Sequence, residues 1–251
     1  MKRRLIASLA IATFGLVACS KAPSADGAMA SSASAPAEKR MPLPDCSKVE
    51  TEDKGPDGLK HPDCRLQFTD KSGFAIEARY APAEDDATKI TVQVVSPGDA
   101  TLQTITETMG NTFAAPSLID IDGDGRQDVQ LPLETGNANT SWAIWRQMDD
   151  GKAFIRIGEP NGVEIKKTDS GYIAVPARSA ANEWEVSFFK LTPVELKPIL
   201  TADIVAKGEP DKITGTSCTV MDDGGLASIG MDPKAAEKAF CAEPVVANAF
   251  K

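Results

Sequence analysis

The sequence predicts an all-β protein, mainly antiparallel and either sandwich-like or reduced-propeller-like, with one short C-terminal helix. Three observations predict it. Apolar and polar residues alternate with period two in short runs, as in Lys89-Ile90-Thr91-Val92-Gln93-Val94-Val95. Clusters such as Asp70-Lys71-Ser72-Gly73 and Ser96-Pro97-Gly98-Asp99 separate the runs, and these are the residue types that tight turns need. Helix signals are scarce until Asp232, which can cap a run starting at Pro233.

Taken in order, the chain opens on a segment set apart from the fold. Met1-Lys2-Arg3-Arg4 is a positive n-region, and residues 5–17 are an apolar run too short for a comfortable membrane span; together they read as a secretory signal over residues 1–18. The run ends in Leu16-Val17-Ala18-Cys19, which resembles the lipobox of bacterial lipoproteins. That resemblance implies cleavage before Cys19 and lipid attachment to it. Ser20, standing where Asp favours inner-membrane retention, points to the outer membrane, facing the periplasm. Residues 19–44 are rich in Ala, Ser and Pro without hydrophobic period, the composition of a tether. Residues 45–251 form the folded part.

Removing residues 1–18 removes three cations and no acid, taking the formal charge from −9 to −12. Such a balance argues against nucleic acid and anionic lipid surfaces and favours a basic partner or bound divalent cations. With Cys19 lipidated, Cys46, Cys64, Cys218 and Cys241 remain. An even remainder in an exported chain reads as two disulfides. Three pairings are open, and the local ones, Cys46–Cys64 and Cys218–Cys241, are favoured because each closes a short loop.

Within the folded part, residues 46–63 read as a polar, turn-rich loop, and the lone His61 within it as a solvated loop histidine. Strands are expected at Arg65-Leu66-Gln67-Phe68-Thr69, at residues 74–80 and 89–95, and in the Thr-rich stretch 101–108. Two further strand-like pieces, Ser117-Leu118-Ile119 and residues 129–133, flank the most distinctive stretch of the chain. Beyond it come the aromatic-rich strand Ser141-Trp142-Ala143-Ile144-Trp145-Arg146-Gln147-Met148, residues 153–157, the hairpin halves 163–166 and 171–175, and the alternating run 183–191. Residues 194–205, interrupted by Pro198, read as one or two shorter strands, and residues 212–221 as another. Residues 242–251 read as an irregular tail or a last apolar strand. Trp142, Trp145 and Trp184 sit in alternating strands and are read as core.

The distinctive stretch is Asp120-Ile121-Asp122-Gly123-Asp124-Gly125-Arg126-Gln127-Asp128. Its four carboxylates would repel one another without a cation between them. A hard cation takes several oxygen ligands at about 2.3–2.6 Å, and Gly123 and Gly125 permit the positive φ that wrapping a loop around an ion requires. The stretch reads as a Ca2+ loop, with Asp120, Asp122, Asp124 and Asp128 as side-chain ligands and the Arg126 carbonyl at position 7. An EF-hand would need a bidentate Glu at position 12, where this chain has Leu131. The spacing resembles the calcium loops of FG-GAP and VCBS-type β repeats, which join adjacent strands and imply this same ligand set. Only one copy is present, and a full propeller would not fit the length. A ligand set this complete implies a structural ion.

Enzyme signatures are missing: there is no G-x-S-x-G, H-E-x-x-H or Gly-rich phosphate loop, and no free cysteine once the disulfides form. The chain is therefore expected not to be an enzyme. In outline, a single FG-GAP-like loop on an envelope lipoprotein resembles the periplasmic immunity proteins that accompany antibacterial type IV secretion. That resemblance implies inhibition of a lysozyme-like peptidoglycan hydrolase. Ser170-Gly171-Tyr172 at a predicted hairpin tip is the candidate partner contact, and the negative charge suits a basic hydrolase. The alternative is a structural or glycan-binding envelope lipoprotein whose calcium is purely structural.

Overall fold

Period-two alternation sorts the side chains of a strand onto two faces, and in this protein the large sheets bury against one another or a helical segment, except on the outer face of the first. The computed structural model describes residues 42–250 apart from 56–57, 150, 152, 210–211 and 223. The expected signal peptide, Cys19 and the tether up to residue 41 lie outside the described residues.

A small hairpin, β1 (Glu52–Asp53) with β2 (Leu59–Lys60), precedes the first sheet. That sheet is a four-stranded meander of β3 (Cys64–Gln67), β4 (Ala75–Pro82), β5 (Thr88–Val95) and β6 (Thr101–Met109), in sequential order. The central sheet runs β7 (Ser117–Ile119), β8 (Asp128–Thr135), β9 (Thr140–Gln147), β10 (Phe154–Gly158). Beyond Gly158, β11 (Asn161–Gly162) returns to pair with the start of β9. The third sheet runs β12 (Lys166–Lys167), β13 (Ile173–Ala180), β14 (Glu183–Leu191), β15 (Leu196–Glu209), β16 (Lys212–Asp222), again in order. All the strand pairs of these sheets are antiparallel, as the short, turn-linked runs predict.

The sheets stack face to face. Ile76, Ile90, Val92 and Ile105 of the first sheet bury against Val129, Leu131, Ala143 and Phe154 of the central sheet. The opposite face of the central sheet, with Ile144 and Ile157, buries against Ile173, Val175 and Leu196 of the third. Ala143 and Ile144 are adjacent in sequence and belong to different cores, so β9 is covered on both sides. The far face of the third sheet, carrying Val186, Phe188, Ala202 and Ile204, buries against Leu226, Ala236, Phe240 and Val246 of the C-terminal segment.

That segment contains the predicted helix, α1 (Pro233–Phe240), capped by Asp232, whose carboxylate accepts from the Lys234 and Ala235 N–H groups. Such a cap contributes about 1 kcal/mol. The residues after it form neither a tail nor a strand. They make a second helical turn, α2 (Pro244–Ala247), because Val246 is apolar and finds room in the third core.

Two further expectations change. Residues 194–205 do not break into short strands: β15 is continuous over 14 residues. Pro198 is accommodated at a bulge, where Phe188 pairs with Leu200 and Phe189 with Pro198. A bulge is where a strand tolerates a residue without an N–H, and here it sends both Ile199 and Leu200 into the same core. His61 is not a solvated loop residue. It is 8% exposed, stacked on Tyr80 with ring centroids 4.9 Å apart, and its Nδ1 lies 3.0 Å from Thr51 Oγ1. Tyr80 of β4 and Thr51, just before β1, are neighbours that a polar sequence does not announce.

Both expected disulfides form, Cys46–Cys64 and Cys218–Cys241. The first ties the N-terminal turn to β3; the second ties β16 to the residue that ends α1. Disulfides of this kind belong to an oxidising, extracytoplasmic setting. Among the described residues no helix is long and apolar enough to cross a membrane.

Candidate metal centre

The acidic stretch lies between β7 and β8, as predicted, and both of its glycines take left-handed φ, +70° at Gly123 and +85° at Gly125. The carboxylates of Asp120, Asp122 and Asp124 each place an oxygen within 4.8 Å of the others. The loop wraps inward around them. Asp120 accepts from the Asp124 and Gly125 N–H groups (both 3.0 Å), Asp122 from the Asp124 N–H (3.2 Å) and Asp124 from the Arg126 N–H (2.8 Å). These are one-sided contacts, since a carboxylate oxygen has a second lone pair to offer. Three carboxylates with no nitrogen or sulfur donor among them suit a hard divalent cation, and the cluster can hold a metal ion.

The fourth acid stands apart. Asp128 is 2% exposed and uses its carboxylate as a clamp: Oδ2 accepts from the Ile121 N–H (3.0 Å) and Oδ1 from the Gln147 N–H (2.8 Å). Burial raises its pKa to about 7, opposed by the hydrogen bonds from Gln147 and Ile121 and assisted by the nearby charges of Asp122 and Asp124. The structure thus brings together three of the four expected carboxylates and sets Asp128 behind them.

Arg126 puts its side chain to a second use. The guanidinium reaches Asp124 and also lies 2.8 Å from Asp149. Two further cations brace the loop from outside. Arg146 of β9 holds Asp122 at 2.6–2.7 Å, and Lys167 of β12 donates to the Asp122 carbonyl. The left-handed φ favours glycine at position 123, and a Cβ there would also lie 3.1 Å from the Lys167 ammonium.

The loop is therefore a junction of all three large sheets. Gln127 bonds reciprocally with the β3–β4 turn of the first sheet: its N–H donates to Asp70 (2.9 Å), and its Oε1 accepts from the Thr69 N–H (2.5 Å). Arg146 and the Gln147 N–H fasten it to the central sheet, and Lys167 to the third. Ile121 points the other way, into the core between the central and third sheets. Sequence reasoning missed Asp70, Arg146 and Lys167. Nothing in their local pattern marks them, since Asp70 lies 57 residues from its partner Gln127, and Arg146 and Lys167 lie 24 and 45 residues from Asp122.

The other predicted positions are also placed. Ser170 and Gly171 lie exposed at the tip of the β12–β13 hairpin, and Tyr172 is half-buried behind them. The tip docks onto the C-terminal segment: Ser170 Oγ donates to Glu243, and the Tyr172 ring lies 5.1 Å from that of Phe240. Trp142, Trp145 and Trp184 are half-buried and pack against the three cores, as expected. Trp145 Nε1 also donates to Glu107 (2.9 Å), and the Arg178 guanidinium lies 5.5 Å above the Trp184 ring.

No protein-family model matches the chain, and no curated protein does. Among solved structures, a Xanthomonas type IV secretion system related protein is similar at 12% identity and a TM-score of 0.37, over 70% of this chain and 95% of that one. The likeness is distant.

Proposed function

We propose that this chain is an envelope-anchored lipoprotein that binds and inhibits a peptidoglycan hydrolase, with calcium in the 120–128 loop as a structural fastening. The role is binding, not catalysis. The observation that carries the reading is a strongly acidic chain, −9 overall, on a domain braced by two disulfides and one polar junction of three sheets. A rigid surface loses little conformational freedom on binding, and an acidic one speeds encounter with a basic enzyme. Anchoring through Cys19 and outer-membrane placement facing the periplasm complete the reading.

Calcium fits the loop as a cross-brace. The ligands would be Asp120, Asp122 and Asp124, with the Arg126 carbonyl beside them, while Asp128 holds the loop from behind as a clamp. The ion would offset acids that Arg126 and Arg146 now neutralise only in part. The purified domain should inhibit lysozyme-like hydrolysis of peptidoglycan at stoichiometric ratio. Absence of inhibition across lysozyme-like hydrolases would reject the reading. Binding to purified cell-wall glycan without any inhibition would support a glycan-binding or structural lipoprotein instead.

A further inference from the structure

The loop between β6 and β7 presents an exposed aromatic on a backbone that cannot move far. Phe113 is 56% exposed, while Thr112 beside it is fully buried and Pro116 beyond it is buried. The start of the loop, residues 110–112, is fastened to β8. The Gly110 N–H donates to the Leu133 carbonyl (2.7 Å), the Thr135 N–H to the Asn111 carbonyl (2.8 Å), and the Asn111 N–H to Glu134 Oε2 (3.1 Å). Thr112 Oγ1 shares a hydrogen bond with Thr135 Oγ1 (2.7 Å) and accepts from the Ala114 N–H (3.2 Å). The Glu134 carboxylate crosses the place where a Cβ on Gly110 would stand, so any side chain there would displace it.

A single exposed apolar side chain is ordinary on a protein surface; what sets Phe113 apart is its aromatic size and the hydrogen-bonded backbone that precedes it. Its backbone is already ordered, so binding through it loses little entropy, and rigid aromatic anchors carry a large share of interface energy. Next to the loop lies a groove of about 460 Å³ between β6, β8 and the end of β10. Glu107, Glu134 and Glu159 line it, with Arg156 as the one cation among the lining residues. Arg156 bridges Glu107 and Glu159 at 2.8 Å each, which leaves the groove with an excess of negative charge.

We infer that Phe113 and this groove form the protein-docking surface, and that the partner is a basic protein offering an apolar pocket beside lysine or arginine side chains. This rests on the inhibitor reading for the identity of the partner as a hydrolase, but not for its charge. It moves the recognition surface away from Ser170-Gly171-Tyr172, whose tip is docked onto the protein's own C-terminal segment.

The test uses the mature chain, with a basic c-type lysozyme as probe and an acidic protein of similar size as control. Phe113→Ala and Glu159→Lys are both at exposed positions, and melting curves should match wild type. Binding to the lysozyme should weaken at least about tenfold in Phe113→Ala. It should weaken several-fold in Glu159→Lys, and in wild type it should fall as salt rises from about 50 to about 300 mM. Unchanged binding in Phe113→Ala overturns the surface and leaves the inhibitor reading standing. Phe113-dependent binding without inhibition of hydrolysis keeps the surface and overturns the inhibitor reading. No binding of wild type to the basic probe overturns both.

Discussion

Asp128 and His61 illustrate what a buried polar side chain does when it is, and is not, fully partnered. Asp128 satisfies two backbone N–H groups at once, from Ile121 and Gln147. Asp128→Ala would leave both donors buried and empty, at about 1–3 kcal/mol each. In chelator, so that no metal term enters, unfolding by urea should show a loss of about 3 kcal/mol; a loss below about 1 kcal/mol would mean the clamp is not formed. His61 is held below the ordinary imidazole range by burial, so it is neutral in the fold. The unfolded imidazole takes a proton near pH 6.5. Falling pH therefore stabilises the unfolded state, and this contribution to stability is lost below about pH 6.5, levelling off below the folded-state value. Asp128 runs the other way: with its pKa raised to about 7, the folded protein binds the extra proton, and stability gains as pH falls. The two are separated by difference. The stability of wild type minus that of His61→Gln should fall between about pH 7.5 and about pH 5.5, and a constant difference would exclude the assignment.

At the scale of elements, close approach decides more than propensity. Gly162 of β11 has neither side chain nor spare room: a Cβ would lie 2.5 Å from the Pro176 carbonyl oxygen and 2.6 Å from Val175 Cγ1. The next residue, Val163, donates its N–H to that same carbonyl (2.8 Å), so this short strand bridges the central and third sheets. Gly162→Ala should cost about 1–3 kcal/mol by overpacking. A thermal melt is the measurement, with a drop of several degrees expected for a domain of this size. The second disulfide carries comparable weight. Paired Cys218→Ser and Cys241→Ser changes release α1 from β16 and should cost about 3 kcal/mol. Because Phe240 still packs on Phe188 with ring centroids 4.8 Å apart, α1 should remain helical by circular dichroism.

The whole molecule is three sequential meanders stacked face to face and gathered at one polar loop. Side chains from sheets on either side of the central one, Asp70 and Lys167, meet the loop directly. A cation bound there would act on every sheet at once. If calcium binds, a free concentration a hundred times its dissociation constant adds about 2.7 kcal/mol. The melting temperature should then rise with calcium over chelator, and Asp120→Asn with Asp122→Asn should abolish the rise. A flat response in wild type would reject calcium at this loop.

Much of this was legible in the sequence, because it is local. Alternation, turn chemistry and the Asp232 cap set the strands, the hairpins and the helix. Short sequence separation favoured the two disulfide pairings that form. The Asp and Gly spacing located the acidic loop and its two left-handed glycines. The tertiary structure decided whatever depends on residues far apart in sequence. It withdrew Asp128 from the carboxylate cluster into a buried clamp, brought Arg146, Lys167 and Asp70 to the loop, and roofed His61. It let Pro198 lie at a bulge inside a long strand, and it turned the 170–172 tip onto the protein's own C-terminal segment. The physical reason is the same in each case. Backbone conformation follows from neighbours in sequence, but which polar groups are satisfied, and by whom, is fixed only when the sheets pack.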